Sequence, residues 1–368
     1  MSLINLYIGT YTESIKFGTG KYLHGKGKGI YRCSIDTDSG KFERPVLVAK
    51  TVNPSYVAFS PDKKNLYAVN ELKQFEGNPT GALSSFSVDS SSGELRFLNT
   101  LPTGGTDPCH VAVDDTGGLV FVANFMSGSV ALYKTTAEGS LEGPKDFVQH
   151  HGSSLDPQRQ GGPHAHAVIY DAATKLLYVP DLGKDSVVVY RVDTAAGRLE
   201  AQAGLDIALT PGAGPRHIEI HPDRRYAYLV NELDSTVSVL AIDSHDGSMH
   251  IVQTSNLLPE GYSGQSTSAD LHIAPAGDFL YCSNRGHDTI TGFRIDRESG
   301  LLSLIGHTPT GGKTPRNFLI DPSGTMLIAA NQDSDTLVSF RIDQNTGLLE
   351  STGYSVEVPT PVCVKVPC

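Results

Sequence analysis

Six stretches of this chain can be laid under one another. NPSYVAFSPDKKNLYAVNE, DPCHVAVDDTGGLVFVANF, AHAVIYDAATKLLYVPDL, GPRHIEIHPDRRYAYLVNE, SADLHIAPAGDFLYCSNR and TPRNFLIDPSGTMLIAANQ share one plan. Each opens with a short alternating strand, turns through Asp, Pro, Gly or Lys, and continues as an apolar strand that usually ends in Asn. A polar turn, a third strand such as VVVYRVD and a hairpin such as TAAGRLE follow. The equivalent positions Pro54, Pro108, Ala165, Pro215, Ser268, Pro315 and Pro361 are spaced by 54, 57, 50, 53, 47 and 46 residues. A period of roughly 50 residues with four short strands per unit marks a β-propeller. No helical period lies between the strands, which disfavours βαβ units and a parallel sheet.

Six repeats are complete, and the seventh is divided. TPVCVKV (Thr360 to Val366) reads as a lone first strand, whereas NLYIGTYTE, GIYRCSID and KFERPVLVA near the start read as second, third and fourth strands. The expected fold is therefore all-β: a seven-bladed propeller whose last blade is closed by N- and C-terminal strands. Closure removes the free edges that invite aggregation. The 368 residues suffice for one such domain spanning 1–368.

The formal net charge of -11 makes nonspecific nucleic-acid binding a poor expectation. An anionic ligand would need a local basic cluster to hold it against that field. Cys33, Cys109, Cys282, Cys363 and Cys368 are odd in number, widely spaced and without a CxxC, which points to reduced thiols in a cytoplasmic protein. The opening MSLINLYIGTYTE lacks the regions of a signal peptide, and no apolar run reaches membrane-spanning length. A monomer or weak homodimer is expected.

In a propeller the first strands line the central channel, so equivalent positions about 50 residues apart become neighbours. First-strand starts and second-strand ends meet at one mouth, because the two strands are antiparallel. That register sends His110, His166, Arg216, His217, Glu232, Asp270, Arg285 and Arg316 to a single rim. Taken singly, a His beside a turn is usually a structural hydrogen-bonding residue, and Glu232 with Arg216 is an ordinary ion pair. The Asn column (Asn70, Asn124, Asn231, Asn284, Asn331) reads as turn chemistry. Convergence of three arginines, three histidines and two carboxylates favours a functional site.

A metal is not expected. His164 and His166 could supply two imidazoles, but catalytic zinc usually takes three protein ligands, and nearby arginines oppose a cation. No GxSxG, Walker loop or dinucleotide fingerprint is present, and GKGKG (Gly25 to Gly29) reads as a flexible loop. No cofactor is implied.

The segments GAGPRHIEIHPDRRYAYLVNELDSTV, SADLHIAPAGDFLYCSNR and KTPRNFLIDPSGTMLIAANQ resemble the bacterial propeller-type 6-phosphogluconolactonases. That family includes the fungal 3-carboxy-cis,cis-muconate lactonising enzyme. The resemblance covers essentially the whole chain. It implies a seven-bladed propeller, a small anionic lactone as substrate, and a His, Arg and Glu set at one channel mouth. By register those residues are His166, Arg216, Glu232 and Arg285, with Arg316 in the matching PR of a later blade. In GGPHAHA, spacing from YVPDL selects His166, whereas His164 follows the Gly-Pro; both remain candidates. The loops Lys73 to Gly81 and Glu13 to Lys28 look larger than the minimal family member requires.

The implied reaction is hydrolysis of 6-phosphogluconolactone or a related sugar lactone, a step of the pentose phosphate pathway. The histidine is the expected general base, Glu232 its partner or itself the base, and Arg216 and Arg285 the oxyanion stabilisers. Arg316 and Lys313 are expected to clamp the phosphate, with His110, His164, His217 and Asp270 as further binding residues. A muconate-type cycloisomerase would use the same cluster for proton transfer to carbon. A noncatalytic interaction platform would instead show patches on the blade rims.

Overall fold

The computed structural model describes residues 3–16 and 22–367. Antiparallel sheets stand around a central channel, each in the order first, second, third, fourth strand from channel to rim; the sheet that starts at Ile169–Asp171 adds a fifth strand, Ile207–Ala208, paired with its third. Blade one comprises Val57–Phe59, Asn65–Asn70, Ala82–Val88 and Leu95–Pro102. Blades two to six repeat it from first strands Pro108–Val113, Ile169–Asp171, Pro215–Ile220, Thr267–Ile273 and Pro315–Ile320. Blade seven is Pro361–Lys365, Leu3–Thr10, Gly29–Asp36 and Val46–Lys50, so strands from both ends of the chain complete one sheet. The register pairs Ile8 with Val364 and Gly9 with Cys363. The only helical segments among the described residues are two short 3-10 turns, Ala203–Leu205 and Gln332–Ser334.

The second strands are apolar without interruption because each faces a neighbour on both sides. In Tyr226–Asn231, Ala227 and Leu229 pack against blade three, whereas Tyr228 and Val230 pack against blade five. Period-two alternation thus serves two interfaces rather than a core and solvent. The core is accordingly a ring of inter-blade layers. The Asn column ties second strands to neighbouring segments: Asn331 and Asn284 donate to the carbonyls of Thr310 and Leu257 at 3.2 Å.

The segment around Ser14–Lys16 and Tyr22–His24 is a two-stranded hairpin, with Gly25 and Gly27 bonded back to Glu13 and Tyr11. Part of the long Glu13 to Lys28 loop lies outside the described residues. No helix among the described residues is long and apolar enough to cross a membrane.

Candidate active site

The site begins with a local irregularity. In blades two, four and six the ladder slips one residue after the proline: Pro215 pairs with Asn231, but His217 pairs with Val230. The extra residue is Cys109, Arg216 or Arg316. Such a bulge re-aims the side chain of the unpaired residue. Just before each proline stands a positive-φ residue, Asp107, Gly214 or Thr314. The turn and the bulge together deliver these side chains to the channel mouth.

At that mouth lies a cavity of about 680 Å³, lined among others by Glu71, Cys109, Phe125, Arg159, His166, Glu232, Arg285, Arg316 and Gln332. Glu232 is its centre and is 5 % exposed. Arg159 Nη2 lies 2.5 Å from Oε1, while Arg285 Nη2 at 2.9 Å and Arg216 Nε at 3.0 Å share Oε2. His166 Nε2 stands 4.0 Å from the same Oε2. Burial pushes the Glu232 carboxyl up, but the three guanidiniums outweigh it and hold the group well below the usual carboxylate range. A carboxylate held this way stays ionised and is a poor proton acceptor. Such a group is suited to fixing the guanidiniums around it.

His166 is buried, and burial followed by Arg216 and His217 holds its pKa well below 6.5. It is therefore neutral at pH 7. Phe125 presents its face to His164 (ring centres 4.7 Å apart) and meets His166 at 5.1 Å. His164 is engaged elsewhere: its Nδ1 meets the Phe125 carbonyl oxygen at 2.9 Å, and it is not among the residues that line the cavity. Between the two candidates, the geometry places His166 beside the carboxylate.

Arg316 lies over the ring of Tyr11, 5.6 Å from its centre, and Tyr11 donates to Glu71 Oε2 at 2.9 Å. Burial raises the Glu71 pKa, and Arg316 acts against that rise. Burial also lowers Arg285, to about 10, which leaves it protonated at neutral pH. Its Nε is buried without a hydrogen-bond partner. Three guanidiniums (Arg159, Arg216, Arg285) therefore hold Glu232, and Arg316 lines the same cavity together with the carboxylates Glu71 and Asp333.

Several expected rim residues lie elsewhere. His110, His217 and Asp270 line a second cavity of about 420 Å³, further along the first strands, with Tyr56, Glu219, His272 and Lys365. They sit beneath the mouth because the bulge consumes one residue. Lys313 is exposed and does not line the mouth cavity. Arg159, which the repeat register does not reach, comes from the connection between blades two and three. Its loop is pinned by the fully buried Gln160, whose side chain donates to the Leu182 carbonyl at 2.8 Å. No cluster of three or more His, Cys, Asp or Glu suited to a metal occurs among the described residues.

Residues 5–366 match the family described as lactonase, 7-bladed beta-propeller. The chain is 34% identical over 359 residues to the 6-phosphogluconolactonase of Bacillus subtilis, covering 98% of this chain and 97% of that one. It is 33% identical to the 6-phosphogluconolactonase of Formosa agariphila over 85% of each. Among solved structures, the periplasmic gluconolactonase PpgL of Pseudomonas aeruginosa matches with a TM-score of 0.91 and 35% identity, covering 99% of both chains. With a family match and relatives that extend over nearly its whole length, the chain belongs to the seven-bladed β-propeller lactonases and is a lactone-hydrolysing enzyme.

Proposed function

We propose that the substrate is 6-phosphogluconolactone, opened to its acid. The observation that carries this reading is the guanidinium cluster at the mouth: Arg159, Arg285 and Arg316 line the cavity, and Arg216 is paired with Glu232 at its wall. Guanidiniums that open onto a cavity suit a phosphate, which they can bind through paired N–H donors. Neutral His166 takes a proton from water as the oxygen attacks the lactone carbonyl. Arg216 and Arg285 stabilise the oxyanion of the tetrahedral intermediate. The ring C–O bond then breaks, and the leaving alkoxide takes the proton back from His166. Arg316 and Arg159 hold the phosphate. Glu232 fixes the guanidiniums and receives no proton.

Supporting a second reading, PpgL is named a gluconolactonase, whose name carries no phosphate. The test is to measure kcat/KM above the spontaneous rate on freshly made 6-phosphogluconolactone and on unphosphorylated glucono-δ-lactone, with Arg216→Ala, Glu232→Ala and His166→Ala in parallel. Preference for the phosphorylated lactone is the expected result. Preference for the neutral sugar moves the assignment to gluconolactone, and turnover of a carboxymuconate alone sinks both. We place the enzyme in the cytoplasm, since Cys33, Cys109, Cys282 and Cys363 are free and buried.

A further inference from the structure

The guanidinium of Arg216 is held from behind as well as by Glu232. Its Nη1 donates to the Ala269 carbonyl oxygen and lies 3.2 Å from His217 Nε2. A guanidinium can only donate, so that Nε2 carries no proton. His217 is then the neutral Nδ1–H tautomer, and Nδ1 donates to Asp270 Oδ1 at 2.7 Å. Asp270 is 1 % exposed. Its other oxygen accepts from Asn317 Nδ2 and from the Phe318 amide at 3.3 Å, with His272 Nε2 3.2 Å away. Asn317 Oδ1 in turn accepts from the Val364 amide at 2.7 Å. A hoop of hydrogen bonds thus passes through blades four, five, six and seven and ends on Arg216.

We propose that Asp270 and His217 are positioning residues: the carboxylate dictates the imidazole tautomer, and the tautomer presents a third acceptor, beside Glu232 and the Ala269 carbonyl, that orients Arg216 toward the reacting carbonyl. The proposal rests on the role given to Arg216 above. With the other tautomer, N–H would face N–H in a buried site, and the guanidinium would lose a fixed partner. Hydrogen-bond partners that orient metal-ligating histidines are worth roughly 10- to 100-fold in activity when removed, and a loss of that order is expected for a partner that orients Arg216.

Two measurements test it. In the intact wild-type protein, nitrogen-15 NMR of His217 should show a protonated Nδ1 and an unprotonated Nε2. In kinetics, His217→Phe keeps a ring without an acceptor, and Asp270→Asn keeps the shape without imposing the tautomer. Both should lower kcat by roughly 10- to 100-fold, with KM changed far less. His217→Gln, whose amide oxygen can accept from Arg216, should recover part of kcat over His217→Phe. An Nε2–H tautomer overturns the proposal, as does a Phe variant with wild-type kcat or a Gln variant no better than Phe. If wild-type protein opens no lactone, the assigned reaction fails, while the NMR measurement still decides the tautomer on its own.

Discussion

His166 sits in surroundings that work against its protonation: burial first, then Arg216, His217 and Arg316, with only Glu232 acting in the other direction. A base acts in its unprotonated form, so lowering its pKa extends activity toward acid. The acid limb of kcat/KM should therefore fall below pH 6.5, the ordinary histidine value. A bound phosphate adds negative charge nearby, which favours the imidazolium. The limb for kcat should accordingly lie at higher pH than that for kcat/KM. A kcat/KM limb at or above 6.5 would contradict the environment described for His166. Glu232→Gln tests the other partner. It leaves three guanidiniums without their carboxylate, and breaking a buried pair costs about 3–5 kcal/mol. Since Arg159 and Arg285 are 14% and 15% exposed at the side chain, the expected loss lies at the lower end of that range, near 3 kcal/mol. Denaturant unfolding with and without added phosphate checks it, because phosphate should restore part of the loss.

Within the strands, a second repeated device holds neighbouring blades in register. A tyrosine of one second strand donates to a hairpin glycine of the next blade: Tyr7 to Gly93 at 2.8 Å, Tyr178 to Gly247 at 2.7 Å, Tyr228 to Gly300 at 2.9 Å and Tyr281 to Gly347 at 2.8 Å. Tyr178→Phe should cost about 1 kcal/mol, the net worth of one hydrogen bond, with activity unchanged. Gly247→Ala should cost more, about 1–3 kcal/mol, because its φ is +78° and a Cβ would stand 2.8 Å from Leu176 Cδ1. Denaturant midpoints of the two variants compare them directly. The repeat period made most of this architecture legible, including the division of blade seven, because hairpin spacing and alternation are local. It also brought His166, Arg216, Glu232, Arg285 and Arg316 to one mouth. It placed His110, His217 and Asp270 one layer too high. A one-residue slip in a hydrogen-bond ladder leaves no mark in composition. Arg159 was beyond its reach for a different reason: the loop that carries it has no counterpart in other blades and so no register. Lys313 is near Arg316 in sequence, but proximity along a tight turn does not set direction.

For the molecule as a whole, the ring depends on one short strand. Val362, Cys363 and Val364 are at most 2 % exposed, and each fully buried apolar side chain of that size is worth about 1.5–3 kcal/mol. Ending the chain at Thr360 should forfeit several kcal/mol, comparable with the roughly 5–15 kcal/mol by which domains are stable. It also bares the edge of Leu3–Thr10. Poor soluble yield and loss of cooperative melting are expected, with partial rescue by a peptide carrying residues 361–367. A truncated protein that melts like wild type would show that closure is dispensable.

The same division of blade seven sets a clock on synthesis. Pro361–Lys365 is made some 350 residues after its partner Leu3–Thr10. At about 5–20 residues per second, the first strand waits on the order of 20–70 s with an unpaired edge. The hydrogen-bond hoop beneath Arg216 ends on Val364 and so forms only after that wait. Six blades can stack while the chain grows, but the ring and the hoop behind Arg216 are complete only when Pro361–Lys365 arrives.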